Sequence, residues 1–357
     1  MFGSHLSIAG DMCNALREAE KLGLDTVQVF TKNQQQWAAK PLSAQQIADW
    51  KSEIKRLKWS GPAKGVSHAS YLINLASPDD TLWKKSIDLM RDEIERCEQL
   101  EIPYLVHHPG AFTTSTLADG IARIAAAYKI LFASTSGYRT VSCLEGTAGG
   151  GSTIGGAFEH LRDLRAAIIS STGLPDRIGF CLDTCHLHAA GNDMSTRAAA
   201  DATLKRFDQM CGLSHLHVMH LNDSKGTLGS KLDRHMHIGE GECAANSLAD
   251  SGFTAVVNHP HCARIPKILE TPKDGDCNGT PWDTVNLARL RSLLHSSPIP
   301  PMIVTKPAPT PKPAKAPNPT PKATPKTTKK PAAKVTAKVT KKTTKPAASK
   351  PAKRASK

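Results

Sequence analysis

Short apolar runs alternate with longer amphipathic stretches along the first 295 residues. Eight runs read as strands: Phe2–Leu6, Thr26–Phe30, one ending at His68, Tyr104–His108, Thr140–Glu145, Ile178–Asp183, Leu216–Leu221 and Lys267–Thr271. They are of strand rather than helix length. Between them, apolar residues recur at helical spacing. Ala15, Leu16, Ala19 and Leu22 follow Asp11, which can cap the helix they predict. Further helices are predicted over Ser43–Leu57, Thr116–Leu131, Ala157–Ile169, Thr196–Met210 and Thr284–Leu294, with a weaker one around Asn246–Val257. The clearest follows Asp79-Asp80, where Trp83, Ile87, Met90, Ile94 and Cys97 alternate by four and three and form one apolar stripe. Eight β/α units in this length predict the α/β class and a (β/α)8 TIM barrel. An open doubly wound sheet is the alternative, because alternation alone does not show closure.

The pattern stops near Pro298. Beyond it the chain is Pro, Ala, Lys and Thr, so residues 1–297 are expected to form the barrel domain and 298–357 a disordered basic tail. Such a segment has almost nothing to bury against the entropy of ordering it. The net charge of +14 belongs to this tail: Lys306 to Lys357 holds 16 Lys plus Arg and no acidic residue, leaving residues 1–305 at a net −2. A polycation of this kind points to non-specific attraction for nucleic-acid phosphates, with a solubilising appendage or an affinity for acidic surfaces in general as the alternative.

The nine cysteines show no paired frame and no secretory leader precedes the first strand, so reduced core thiols are expected, with a Cys-based zinc site as the alternative. No run has the length of a membrane span. The expected location is intracellular: cytoplasm or nucleoid in a bacterium, nucleus in a eukaryote.

The candidate chemistry lies at the strand ends. Seven apolar runs finish on a histidine or carboxylate: His5, His68, His107-His108, Glu145, Asp183, His220 and Glu270. Carboxyl ends of strands form the functional mouth of such a barrel, and zinc accepts imidazole nitrogen and carboxylate oxygen. Two clusters add to these. His186 lies three residues after Asp183, and Asp233 and His235 are two apart, on one side of extended backbone. The nine candidates His68, His108, Glu145, Asp183, His186, His220, Asp233, His235 and Glu270 are too many for one ion and suit a cluster of two or three. His107, His160, His188, His215, His217, His237, His259 and His261 are read as structural, with His217 on a different side of its strand from His220.

The segments Phe30-Thr-Lys-Asn-Gln34, His68-Ala-Ser-Tyr-Leu-Ile-Asn-Leu, His108-Pro-Gly, Leu-Asp183-Thr-Cys-His186, His220-Leu-Asn-Asp-Ser-Lys, Asp233-Arg-His235, Gly239-Glu-Gly and Ile-Leu-Glu270-Thr occur in that order. Residues 2 to about 294 thereby resemble endonuclease IV, the zinc-dependent apurinic/apyrimidinic (AP) endonuclease family. The resemblance implies three zinc ions per chain: one on His68, His108 and Glu145, a second on Glu145, Asp183, His220 and Glu270, and a third on His186, Asp233 and His235. It implies hydrolysis of the phosphodiester 5′ to an abasic site in double-stranded DNA, leaving a 3′-hydroxyl, and removal of blocked 3′ ends. Glu145 or Glu270 would orient the attacking water. His5, Asn33, Gln34, Gln35 and Tyr71 would enter the minor groove and stabilise the extruded abasic nucleotide, with the enzyme acting as a monomer. Two departures stand out: Gln35 where many relatives carry Arg, and Gly146 where they often carry Asn. A xylose-isomerase-like sugar isomerase and a nucleoid or chromatin protein are the alternatives. Neither predicts the Asp-Arg-His cluster.

Overall fold

The computed structural model describes residues 1–295, and the tail expected over 298–357 lies outside them. Eight parallel strands form one sheet among the described residues. They are β1 (Phe2–Ser4), β2 (Gln28–Val29), β3 (Val66–His68), β4 (Tyr104–His107), β5 (Val141–Glu145), β6 (Ile178–Asp183) and β7 (Leu216–His220). After a short antiparallel ribbon, β8 (Asp223–Ser224) and β9 (His235–Met236), comes the last, β10 (Lys267–Leu269). The order is β1-β10-β7-β6-β5-β4-β3-β2, and a parallel bridge between His5 and Gln28 joins the two ends. The amide of His5 donates to Leu269 and that of Leu6 to Gln28, both at 2.9 Å. The sheet therefore closes into a barrel, which rules out the doubly wound alternative.

The helices are α1 (Asn14–Lys21), α2 (Ala44–Arg56), α3 (Asp80–Leu100), α4 (Leu117–Ser134), α5 (Phe158–Thr172), α6 (Thr184–Ala189), α7 (Arg197–Cys211), α8 (Gly252–Asn258) and α9 (Trp282–Ser292). Their starts are locally encoded. Ser43 and Gln46 form a capping box on α2, as do Thr116 and Asp119 on α4, and the Asp79 side chain accepts the Leu82 amide at the start of α3. The apolar stripe of α3 buries Ile87, Met90, Ile94 and Cys97 against the barrel. The weak helix expected from Asn246 begins only at Gly252. The preceding polar stretch is used in turns, with the Asp250 carbonyl accepting the Arg197 amide at the start of α7. Among the described residues no helix is long and apolar enough to cross a membrane.

Side chains alternate across a strand, and that alternation builds the barrel interior in layers. Val66, Val106, Cys143, Cys181, Val218 and Ile268 form one buried apolar ring. Two residues further along each strand stand His68, His108, Glu145, Asp183, His220 and Glu270. On the other side of the ring lie Tyr104 and Val141, packed against it. Here the expectation for His217 is corrected. The β6–β7 register shifts between Phe180 and Cys181, pairing Phe180 with Leu216 but Cys181 with Val218. His217 is the extra residue of that bulge, and it turns inward at the barrel floor. Its ring stacks on Tyr104, with centroids 5.3 Å apart.

Candidate metal centre

Three groups of ligand atoms converge at the carboxyl ends of the strands, the members of each lying within 4.8 Å of one another. They are His68 with His108 and Glu145; Glu145 with Asp183, His220 and Glu270; and Asp183 with His186 and His235. Glu145 links the first two. Its Oε2 is 3.2 Å from His68 Nε2 and 3.3 Å from His108 Nε2, while Oε1 is 3.1 Å from His220 Nδ1. His220 Nδ1 also lies 3.0 Å from Glu270 Oε2. Asp233, from the loop before β9, places Oδ1 3.2 Å from His186 Nε2 and 3.5 Å from His235 Nε2. All nine candidate ligands thus meet at one mouth, with Asp183 standing between the second and third groups.

The donor set fits bound cations on two observations. The Nε2 atoms of His186 and His235 are buried without a hydrogen-bond partner, although carboxylate oxygens stand nearby. An orphaned nitrogen aimed into a cluster of acidic oxygens is where an ion would sit. The titration behaviour agrees. Burial works against ionised Glu145 and Glu270, yet the surrounding imidazoles, His220 foremost, hold both carboxyls well below the usual range. Burial likewise opposes charging His186, but Asp183, Asp233 and Glu145 raise it well above the usual imidazole value. The pocket is built for positive charge.

Two thiols border the cluster. Cys181 lies against Glu145 and His220, and Cys185 against Asp233 and His235. Burial pushes both up to about 12, so each holds its proton. No group of cysteines of the kind a Cys-based zinc site needs occurs among the described residues. His107 faces away from the mouth, with Nε2 2.6 Å from the Tyr128 hydroxyl and Nδ1 2.9 Å from the His108 carbonyl, in keeping with a structural role.

A family described as xylose isomerase-like TIM barrel matches residues 16–291. The probable endonuclease 4 of Chloroflexus aggregans is 44% identical over 293 residues, covering 82% of this chain and 97% of that protein. The chain belongs to the endonuclease IV family. It is a hydrolase of the AP endonuclease class. The crystal structure of endonuclease IV from Thermus thermophilus superposes with a TM-score of 0.69 at 33% identity, over 82% of this chain and 98% of that one. A D-tagatose 3-epimerase-like protein shares the barrel at 18% identity and a TM-score of 0.59, over 82% of this chain and 96% of its own. That likeness concerns the fold alone.

The residues that the endonuclease IV resemblance placed against DNA surround the mouth. His5, Asn33 and Gln34 line one groove of about 550 Å³ together with Phe30, Lys32 and Lys273. Tyr71 is 62% exposed, and its ring stands 5.2 Å from that of His68 and 5.9 Å from that of His108. Gln35 is exposed, its amide held by Asn33 Oδ1 at 2.9 Å.

Sequence reasoning misses a frame behind these loops. Lys32, Glu93 and Arg96 are buried. Lys32 Nζ donates to the Gln36 carbonyl at 2.7 Å and lies 3.8 Å from Glu93 Oε1. Arg96 donates to the carbonyls of Thr31 and Lys40, and the Ser70 hydroxyl to that of Gln34. The charges at 93 and 96 break the polarity of α3 on its buried side, a signal present in the sequence. Asn222 is missed as well. It is fully buried, donates Nδ2 to Asp183 Oδ2 at 2.7 Å and accepts the Glu270 amide at 2.8 Å.

Proposed function

We propose that this chain is a zinc-dependent AP endonuclease of base excision repair. It hydrolyses the phosphodiester 5′ to an abasic site in duplex DNA, leaving a 3′-hydroxyl and a 5′-deoxyribose phosphate, and clears blocked 3′ ends. The observation that carries this reading is the convergence of nine ligand side chains at a mouth bordered by the groove of His5, Asn33 and Gln34. His68, His108 and Glu145 would hold one zinc; Glu145, Asp183, His220 and Glu270 a second; His186, Asp233 and His235 the third. Bound there, such ions supply positive charge for the phosphodiester and lower the pKa of a water for in-line attack.

The protein's own contribution is placement. Glu145 is engaged at both oxygens by histidines and Glu270 by Gln28 and His220, but Glu145 is 1% exposed whereas Glu270 is 13% exposed and faces the mouth. Glu270 is therefore the carboxylate that orients the attacking water. The exposed ring of Tyr71 and the side chains of Asn33 and Gln34 support an extruded sugar, which costs less to unstack when it carries no base. Lys306 to Lys357 add non-specific affinity for DNA, offsetting a slightly acidic folded part that carries neutral Gln35. The enzyme acts as a monomer inside the cell.

The deciding experiment is incubation of the full-length protein with a duplex carrying one abasic site. Incision on the 5′ side, abolished by chelator and restored by zinc, is expected. Sugar isomerisation or DNA compaction without incision would overturn the reading. A chain lacking 306–357 should keep its turnover at saturating substrate, but lose affinity and show a flatter salt dependence; an unchanged salt slope would remove the tail from the proposal.

A further inference from the structure

The second strand delivers one polar side chain to the ligand layer. Gln28 stands between Val27 and Val29, and all three are fully buried. A lone polar residue in so apolar a strand must have its amide satisfied, and the partners are specific. The amide nitrogen donates to Glu270 Oε1 at 2.5 Å and lies 2.9 Å from His5 Nδ1. The amide oxygen lies 2.9 Å from His220 Nε2.

Only one arrangement of hydrogens satisfies all three contacts. An ionised carboxylate accepts and cannot donate, so the NH2 end of the amide must face Glu270. The oxygen is then turned to His220, whose Nε2 must carry a hydrogen. Nδ1 of His220, beside Glu145 and Glu270, is left as the ring atom aimed into the cluster. The second amide hydrogen points at His5, so His5 Nδ1 is a bare lone pair and its Nε2 carries the ring hydrogen. One amide dictates the orientation of two imidazoles and a carboxylate.

We infer that Gln28 is a positioning residue: it fixes the His220 tautomer for metal binding, steadies Glu270, and sets His5 as an acceptor at Nδ1 and a donor at Nε2. This rests on the zinc-nuclease reading, since it assigns Gln28 to the centre that reading invokes. Partners that orient a metal-ligating histidine typically change metal affinity by about 10–100-fold when lost.

The test compares full-length wild type with Gln28→Met, which keeps the length of the side chain and removes its hydrogen bonds. In competition with a chromophoric zinc chelator, the variant should lose one zinc equivalent at least about tenfold more readily than wild type. The remaining zinc should be retained, and kcat should fall with little change in KM. Equal retention in the two proteins would overturn the assignment. Because a buried substitution can impair folding, nitrogen-15 histidine spectra of the wild type give an independent decision. They should show His220 protonated at Nε2 and His5 unprotonated at Nδ1; the opposite tautomers would overturn the proposal. A wild type that takes up no zinc would sink the nuclease reading, while the His5 tautomer, which no zinc sets, would still decide what Gln28 does.

Discussion

Asp183 caps the helix that carries His186. Its Oδ1 accepts the amides of Cys185 and His186, at 2.6 and 3.1 Å, while Oδ2 faces Asn222 and lies 3.6 Å from His235 Nε2. One oxygen builds α6 and the other looks into the ligand cluster. The two roles can be separated by substitution. Asp183→Asn keeps a capping oxygen and removes the charge but sets its NH2 against the Asn222 donor, so it should lose a little metal-free stability while its zinc content falls. Asp183→Ala should lose the zinc and a further ~1 kcal/mol from the cap. Urea unfolding in chelator and metal analysis by mass spectrometry read the two effects. Full zinc content in the Asn variant would remove Asp183 from the ligands.

Glu145 offers a harsher cut, because it joins two ligand groups. Glu145→Gln keeps shape but replaces one accepting oxygen by a donor, placing an N–H against either His68 and His108 or His220. Incision should fall by more than about 100-fold, beyond the usual cost of losing an outer-shell partner. Binding to abasic duplex should persist in a gel-shift assay, since the groove at His5 and Asn33 is untouched. Retained turnover would refute the assignment.

How much of this is legible without coordinates follows from the geometry of strands. Val66 and His68, or Cys143 and Glu145, are two residues apart, and a period of two can be read directly. That is why the eight β/α units and the six strand-end ligands can be written from the sequence, whereas closure appears only in the His5–Gln28 bridge. What fails is whatever breaks the period. The β6–β7 bulge turns His217 inward, and nothing in Leu216-His217-Val218 announces an extra residue. The helix expected from Asn246 fails because side chains and carbonyls of that stretch find turn partners instead. Supporting residues are hidden for another reason. Gln28, Asn222 and Glu93 act through contacts with partners from other strands and helices, and their pairing exists only once the barrel closes.

The buried ion pair behind the groove yields a prediction about binding rather than chemistry. Lys32→Met leaves Glu93 buried without its cation, which typically costs about 3–5 kcal/mol. Lys32→Met combined with Glu93→Gln should recover much of that stability, since the buried charge is gone while an acceptor oxygen remains for the Ser70 amide or the Thr31 hydroxyl. The carbonyl of Gln36 nevertheless loses its anchor in both proteins, so the loop bearing Asn33 to Gln35 is freed. Affinity for abasic duplex should therefore stay weak in the double variant despite restored stability. Affinity returning together with stability would show that the pair serves the fold alone.

Gly179 tests the bulge. A Cβ there would run into the His217 ring and come 2.9 Å from the His215 carbonyl. Gly179→Ala should destabilise the barrel by about 1–3 kcal/mol, the usual range for overpacking. The His217 ring is the closer obstacle, so His217→Ala in the same chain should return part of the loss. Denaturant midpoints of the two single variants and the double give the coupling. A strictly additive pair would mean that the contact with the imidazole carries none of the cost.

The same imidazole gives a pH prediction. Burial lowers both His107 and His217 to about 4. An unfolded histidine titrates near ~6.5, so below that value the unfolded chain takes up protons that the folded chain refuses. The stabilisation is complete above pH ~6.5 and is lost as the pH falls toward ~4, amounting to about 3 kcal/mol for each group. Acid also protonates the metal ligands, so the contribution of one histidine must be isolated by comparison. His217→Phe keeps a flat ring against Tyr104 and cannot titrate. With chelator present in both samples, the dependence of unfolding free energy on pH between ~6.5 and ~4 should be shallower in the variant by about one proton. Parallel curves would mean that His217 charges as freely in the folded barrel as in the unfolded chain, which a ring stacked at the barrel floor does not permit.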